Sequence, residues 1–166
     1  MCRNTCSGLP TIALPLGKGE GWGRGLASMP ITYKVNSPLD LDAAIELYRA
    51  STLGERRPVD DRACMQQMLD EANLTVTAWE DDLLVGISRS LTDWCYCCYL
   101  SDLAVRASHQ HHGIGTELIR RTQAELGPKA SIILLAAPAA VDFYLRIGME
   151  KHNSAWMLRG GRQLAE

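Results

Sequence analysis

The chain has 166 residues, of which 46% are hydrophobic and 22% are charged, and its formal net charge is −2. This length and composition predict one soluble domain with a sizeable core. The slightly acidic balance argues against a nucleic-acid partner, and no apolar run reaches the roughly 18 residues of a membrane span. We therefore expect a cytoplasmic protein that binds neither nucleic acid nor a membrane.

The first 29 residues include a stretch at 17–25 in which every second residue is glycine. Such a stretch is too glycine-rich for a helix or strand. We expect 1–29 to be an irregular N-terminal extension, either an upstream addition to the domain or an arm that docks on a neighbouring subunit of a homodimer. One domain should then span 30–160, followed by a short tail at 161–166.

Within the domain, hydrophobic periodicity and turn residues predict an alternation of strands and helices. The predicted elements are a strand at 31–35, a helix that Ser37 caps and Gly54 ends, a helix opening at Asp60 or Asp61, strands at 75–79, 83–89 and 95–105, a helix at 114–126, a strand at 131–136, a helix at 139–147, and a hairpin of 149–152 with 155–159. The strand at 131–136 is almost wholly apolar, which is typical of burial on both faces. Since 95–105 and 131–136 flank a helix, they should lie parallel in a right-handed βαβ unit.

Three of the six cysteines cluster at 95, 97 and 98, inside a predicted strand. Neighbouring residues of a strand point to opposite faces of the sheet. We therefore expect buried, reduced thiols rather than a disulfide framework.

The turn between the strand at 95–105 and the helix at 114–126 has the character of an anion site. No acidic residue lies between Arg106 and Thr116, and Gly113 and Gly115 remove side chains where the helix begins. Backbone N–H groups at a helix start can converge on a phosphate, and the helix dipole adds to the attraction. A Walker loop is excluded because no Gly-Lys-Ser/Thr occurs, and the third glycine of a dinucleotide fingerprint is missing.

The remaining pattern, Gln110-x-x-Gly113-x-Gly115, resembles the acetyl-coenzyme A loop of the GNAT superfamily of N-acetyltransferases. A second motif, Phe143-Tyr144-x-x-x-Gly148-Met149, resembles the Phe-Tyr-x-x-x-Gly-Phe of the same family. A third, softer motif is Gly86-x-x-Arg89-x-x-Thr92-Asp93, followed by Tyr99-Leu100-x-Asp102-x-x-Val105. The three motifs fall in the family's order, and the resemblance covers about residues 31 to 159.

The resemblance implies an α/β (α+β) fold with a mixed, mainly antiparallel sheet of six to seven strands and about four helices. The fourth and fifth strands should be parallel and splay apart near Val105 and Leu135, so that the pantetheine arm of acetyl-CoA enters the gap. The implied cofactor-binding residues are Leu103, Ala104, Val105, Gln110, His111, His112, Gly113, Ile114, Gly115 and Thr116. The chain departs from the family at Ala137, where an asparagine often contacts the cofactor arm, and at Tyr99, where some members carry a glutamate base.

The same resemblance suggests catalytic roles for Tyr144 and Asp102. Tyr144 suits protonation of the departing thiolate, since a phenol has a pKa of ~10, although a tyrosine packed on the sheet is the plainer interpretation. Asp102 is the candidate for general base or amine anchor, with a water chain as the alternative base. Arg56, Arg57 and Tyr99 are the candidate acceptor-binding residues. The resemblance places the two arginines in the loop that lines the acceptor side, where they could bind a substrate carboxylate, with a solvated loop as the alternative. We expect no metal, because adjacent histidines diverge and this loop should bind phosphate.

The sequence thus predicts an N-acetyltransferase that moves the acetyl group of acetyl-CoA directly to a primary amine of a small molecule in a ternary complex. A protein or peptide N-acetyltransferase and a non-catalytic acyl-CoA-binding module remain as alternatives.

Overall fold

A computed structural model of the chain describes residues 30–164, and the predicted extension at 1–29 lies outside the described residues. The strands are β1 (Ile31–Val35), β2 (Leu74–Glu80), β3 (Leu83–Thr92), β4 (Cys97–Val105) and β5 (Ser131–Ile133). The α-helices are α1 (Leu41–Arg49), α2 (Arg62–Asp70), α3 (Ile114–Ala124) and α4 (Val141–Arg146). Short 3₁₀ helices lie at Thr52–Arg56, Ala107–His109 and Pro138–Ala140.

The strands form one sheet in the order β1-β2-β3-β4-β5, in which only the contact of β4 with β5 is parallel. This confirms the mixed, mainly antiparallel α/β fold. The prediction of six to seven strands is wrong for the described residues, because the expected hairpin of 149–152 with 155–159 forms no strands and residues 151–160 are all exposed. A short run with few apolar residues does not specify a strand register unless one of its faces is buried.

The first helix begins at Leu41 and is capped by Asp40 rather than by Ser37. The Asp40 side chain accepts a hydrogen bond of 3.0 Å from the Ala43 backbone N–H, which satisfies one of the free donors of the first turn. The helix ends at Arg49, and Gly54 lies in the following 3₁₀ turn, not at the helix end. A Cβ at Gly54 would lie 2.6 Å from the Tyr48 carbonyl oxygen, so this turn needs a glycine for close approach.

Two hydrophobic clusters fill the two faces of the sheet. Neighbours on β3 point to opposite clusters, as the period of a strand requires: Leu84 packs in the first and Val85 in the second. The buried members of the first cluster, under α1 and α2, are Ile45, Leu47, Tyr48, Met65, Leu84, Ile87 and Ala104. Those of the second, under α3, are Leu74, Val76, Ala78, Val85, Ile114 and Leu118.

The parallel strand β5 is shorter and more exposed than its sequence predicts. It ends at Ile133 instead of Ala136, and Ser131 and Ile133 are exposed. The prediction that both of its faces are buried is wrong, because β5 lies at the edge of the described sheet and α3 packs mainly on β2, β3 and β4. The thiols beside it also differ from expectation: Cys98 is buried, whereas Cys95 and Cys97 are exposed.

Candidate functional site

The gap between β4 and β5 is the central feature of the candidate site. The two strands pair in parallel only from Cys97 with Ser131 to Tyr99 with Ile133. Beyond that point β4 continues to Val105 with β3 as its only strand neighbour among the described residues. The backbone groups that β4 directs away from β3 in this second half are therefore available to a ligand. The predicted parallel, splayed arrangement is confirmed, but the strands separate after Tyr99 and Ile133, earlier than the predicted place near Val105 and Leu135.

A β-bulge on β4 lies where the two strands separate. Arg89 of β3 is opposite Asp102, but Ser90 is opposite Leu100, so Ser101 has no partner on β3. A bulge bends its strand and increases the local twist. Because Ser101 follows the last paired residue of β4 by two positions, the bulge explains why β4 turns away from β5 there.

The loop after β4 is tied to the body of the fold by side chains. Arg106 pairs with Glu46 of α1, and the His109 imidazole lies 3.1 Å from the Glu80 carboxylate of β2. The Gln110 amide donates a 3.0 Å hydrogen bond to the Val105 carbonyl oxygen, which closes the loop back on the strand end. These contacts hold the segment that leads into α3 in one conformation.

The start of α3 leaves its backbone donors available. Gly113 caps the helix with φ +81°, a left-handed conformation that favours glycine, and contributes no side-chain capping bond. His111 also has a positive φ of 66°, and the side chains of His111 and His112 are exposed. The first N–H groups of a helix lack partners within it. The turn from His111 to Thr116 therefore presents N–H groups and a positive helix dipole to an anion.

Gly115 has a second role that its sequence context did not reveal. A Cβ at this position would lie 3.3 Å from Cζ of Phe143 and 3.7 Å from Cγ2 of Val105. The absence of a side chain at Gly115 lets the α4 aromatic pack against the first turn of α3. The glycine-bearing turn and the Phe143-Tyr144 motif are thus in direct contact, although Gly115 and Phe143 are 28 positions apart in the chain.

Tyr144 lies next to this contact. Its ring is 5.1 Å from that of Phe143 in an edge-to-face arrangement. Burial raises the pKa of Tyr144 above its ordinary value of 10, and the positive charge of Arg56 opposes this shift. The phenol is therefore protonated at neutral pH, in the state that a proton donor requires.

Asp102 lies in a buried cluster of charged side chains, the Asp102 cluster, which consists of Tyr48, Arg57, Arg89, Ser101 and Asp102. The two arginines donate to opposite oxygens of the carboxylate: Arg57 Nε lies 2.5 Å from Oδ1 and Arg89 Nε 2.5 Å from Oδ2. The hydroxyl of Tyr48 donates to Oδ2 at 2.9 Å. Burial, and next the Asp102 carboxylate, raise the pKa of Tyr48, so its phenol stays neutral.

This arrangement argues against the predicted role of Asp102 as general base or amine anchor, which stays a prediction. The side chain of Asp102 is 0% exposed, and cationic donors occupy both of its oxygens. A base or an anchor must reach the amine directly, whereas this carboxylate faces α1 and the 3₁₀ turn at 52–56. The arginines extend the cluster to the bulge, since Arg57 Nη2 donates to the Ser101 carbonyl oxygen at 2.7 Å and Arg89 Nη2 to the Ser101 hydroxyl at 2.9 Å.

The predicted acceptor-binding residues lie in different places in the structure. Arg57 lies at the bulge through its bond to Ser101, and Arg56 is exposed and acts on the Tyr144 phenol. Tyr99 is 40% exposed at the last residue of β4 that pairs with β5. Tyr48 was missed as a contributor because its contact joins distant parts of the chain, and Phe143 was visible only as part of the second motif. Arg89 was visible only as part of the softer motif.

Within the described part of the chain, no group of three or more His, Cys, Asp or Glu side chains is arranged to hold a metal. None of the helices described here is long and apolar enough to cross a membrane.

A family model described as an acetyltransferase (GNAT) domain matches residues 51–162, more than half of the chain. No curated protein matches the sequence. Among solved structures, a GNAT family acetyltransferase from Streptococcus pneumoniae TIGR4 is 24% identical with a TM-score of 0.61, and the match covers 78% of this chain and 99% of that one.

Two aminoglycoside acetyltransferases are similar in fold. One, from an uncultured soil metagenomic sample and bound to trehalose, is 22% identical with a TM-score of 0.61, over 80% of this chain and 97% of that chain. The other is in complex with CoA and is 15% identical with a TM-score of 0.61, over 80% of this chain and 96% of that chain. The matched domain, the parallel strands that separate at the bulge and the glycine-bearing turn agree, and the chain belongs to the GNAT superfamily of acetyltransferases.

Proposed function

We propose that the protein transfers the acetyl group of acetyl-CoA directly to the nitrogen of a primary amine of a small molecule, with both substrates bound together. The observation that carries this proposal is a set of three features that packing links. They are the unpaired half of β4, the start of α3 that no side chain caps, and the neutral Tyr144 phenol on the helix whose Phe143 lies against Gly115. Together they suit a pyrophosphate, an extended arm and a departing thiolate.

The cofactor side is proposed to work through the backbone. The N–H groups of the turn from His111 to Thr116 would bind the pyrophosphate, with His111 and His112 adding charge when protonated. The backbone of Leu103, Ala104 and Val105 would bond to the pantetheine arm, because this half of β4 lacks β5 as a partner. The Gln110 amide already occupies the Val105 carbonyl oxygen, so one acceptor there has a partner within the protein.

The chemical step requires an amine that has lost its proton, a held thioester and a proton for the leaving group. Binding both substrates in the gap supplies proximity and orientation. An N–H group of the second half of β4 can stabilise the oxyanion as the amine nitrogen bonds to the acetyl carbon. Tyr144 then donates its hydroxyl proton to the thiolate as the carbon–sulfur bond breaks. We propose water as the acceptor of the amine proton, since Asp102 is enclosed by cations.

An assay of thioester cleavage across a panel of amines tests this proposal most directly. Turnover of small primary amines, with acetylated product identified by mass, supports it. Turnover restricted to peptide N-termini or lysine side chains would favour the protein or peptide enzyme. Stabilisation by CoA without turnover of any amine would favour an acyl-CoA-binding module, and no stabilisation at millimolar CoA would remove the cofactor assignment.

A further inference from the structure

The Asp102 cluster carries more positive than negative charge. One carboxylate faces two guanidinium groups, and the tyrosine that completes the cluster is neutral. Arginine remains protonated under all ordinary conditions, so the cluster keeps one excess positive charge. An excess charge in a partly buried place is costly unless a counter-ion neutralises it. Among the described residues, no second carboxylate pairs with either arginine.

Arg57 is the more accessible of the two arginines and is bonded to the bulge. The side chain of Arg89 is 6% exposed, whereas that of Arg57 is 20% exposed. Arg57 donates once from Nε, to Asp102, once from Nη2, to Ser101, and once from Nη1, to the Arg56 carbonyl oxygen at 2.9 Å. Each terminal nitrogen of a guanidinium carries two hydrogens. One N–H of Nη1 and one of Nη2 therefore remain for a ligand, on a group whose orientation is already held.

The neighbouring arginine strengthens the same side of the gap. Arg56 is exposed, and in the described part of the chain it is the only charged residue that acts on the Tyr144 phenol. Glu55 precedes it in the exposed 3₁₀ turn and pairs with neither arginine. Of these two neighbouring arginines, one is thus bonded at the bulge and the other acts on the proposed proton donor.

We propose that the acceptor is a primary amine that also carries a carboxylate, and that Arg57 binds this carboxylate with Arg56 beside it. This inference rests on the proposed function and names its substrate class. A guanidinium matches the planar geometry of a carboxylate, and its bonds to an ion are stronger than neutral ones. A polycationic acceptor such as an aminoglycoside would meet repulsion from the same charges. Arg57 is a specificity residue here, and Asp102 positions it.

The test compares acceptors in matched pairs with the full-length protein. L-phenylalanine is compared with its carboxamide and with phenethylamine, and β-alanine is compared with its carboxamide. The kcat/KM of each acceptor is corrected for the fraction of its amine that is neutral. Phosphoethanolamine and an aminoglycoside complete the panel. We expect kcat/KM to be about 10- to 100-fold higher for the carboxylate-bearing amines than for their partners. Equal values, or a preference for phosphoethanolamine or the aminoglycoside, would overturn the proposal.

Two variants locate the effect. Arg57→Gln leaves the Asp102–Arg89 pair intact and should abolish the preference by raising KM for carboxylate-bearing amines alone. Arg56→Gln should reduce the preference for carboxylate-bearing amines. Because this side chain is exposed, the variant remains informative if Arg57→Gln does not fold. Arg49→Gln, in an exposed pair with Asp60 outside the site, is the matched control and should change nothing. A preference that persists in both site variants would refute the assignment.

A binding measurement separates this inference from the proposed function. Calorimetry in the presence of CoA compares N-acetyl-L-phenylalanine with its carboxamide, and tighter binding of the carboxylate supports the inference even when no amine is turned over. Turnover of every amine without a carboxylate preference would instead leave the acetyltransferase proposal intact and refute this one.

Discussion

The two sides of the site are built from different material. The proposed cofactor side, from His111 to Thr116, consists of backbone N–H groups at a helix start and glycines that leave them accessible. The proposed acceptor side, centred on the Asp102 cluster, consists of polar side chains from four segments of the chain. The comparison shows that an anion site made of backbone needs only a local sequence, whereas the Asp102 cluster needs contacts that only folding creates.

The largest expected effect falls between the two sides, at Tyr144. Tyr144→Phe should lower kcat by ~10²–10⁴-fold while CoA affinity changes little, because the proton is needed only as the thiolate departs. Burial raises the pKa of this phenol, so loss of the donor in the parent protein should begin only above about pH 10. Steady-state kinetics against pH measure both effects.

The matched control is Tyr96→Phe, at an exposed tyrosine outside the site. It should leave kcat unchanged. Full kcat in Tyr144→Phe would mean that Tyr144 is structural and that the thiolate takes its proton from the amine or from water.

On the acceptor side, Asp102→Asn should reduce the free energy of unfolding by about 3–5 kcal/mol, the usual cost of removing one partner of a buried ion pair. The substitution keeps the shape but leaves Arg57 and Arg89 without their shared counter-charge. Asp60→Asn, which breaks the exposed pair with Arg49, should change stability by only about 0–1 kcal/mol. Denaturant unfolding measures both variants.

The same variant tests the alternative role of Asp102. Unchanged stability together with a rate loss that high pH rescues would identify Asp102 as the general base after all. A pure rise in acceptor KM at unchanged stability would identify it as an amine anchor.

On the cofactor side, CoA at a hundredfold excess over its Kd should stabilise the parent protein by about 2.7 kcal/mol. Gly115→Asp should abolish this gain, because it adds negative charge at the proposed phosphate site and bulk against Phe143. Gly115→Ala adds bulk alone and should keep most of the gain. Thermal unfolding with and without CoA gives the comparison, and equal stabilisation of the Asp variant would contradict an anion site here.

The smallest expected effect is at the turn that leads into β4, which lies outside both the proposed cofactor side and the proposed acceptor side. The backbone N–H groups of Tyr96 and then Cys97 donate to the Asp93 carboxylate and lower its pKa to about 2. Since this folded-state pKa is below the ordinary value, the stabilisation is present above about pH 4 and is lost as the pH falls towards 2. Asp93→Asn should make unfolding less dependent on pH in that window, without affecting CoA binding. An unchanged acid transition would show that other carboxylates govern it.

The predictive power of the sequence differs between these regions for a physical reason. Periodicity identified α3 because its apolar stripe repeats along one continuous segment, and the cap of α2 at Asp61 follows from local hydrogen bonding. The helix start at Ser37 was wrong because Asp40 competes for the same role within three residues. The C-terminal hairpin was wrong because no described element gives those residues a face to bury.

The amino-acid sequence by itself determined the family, through three motifs in the expected order, and the βαβ unit and the glycine-bearing turn, which depend on residues close together in the chain. Only the tertiary structure decided that Asp102 is enclosed by Arg57 and Arg89, that Ser101 forms the bulge and that Gly115 makes room for Phe143. A carboxylate on a strand looks the same in sequence whether it faces a substrate or two arginines. Its partners come from other segments, and folding alone brings them within hydrogen-bonding distance.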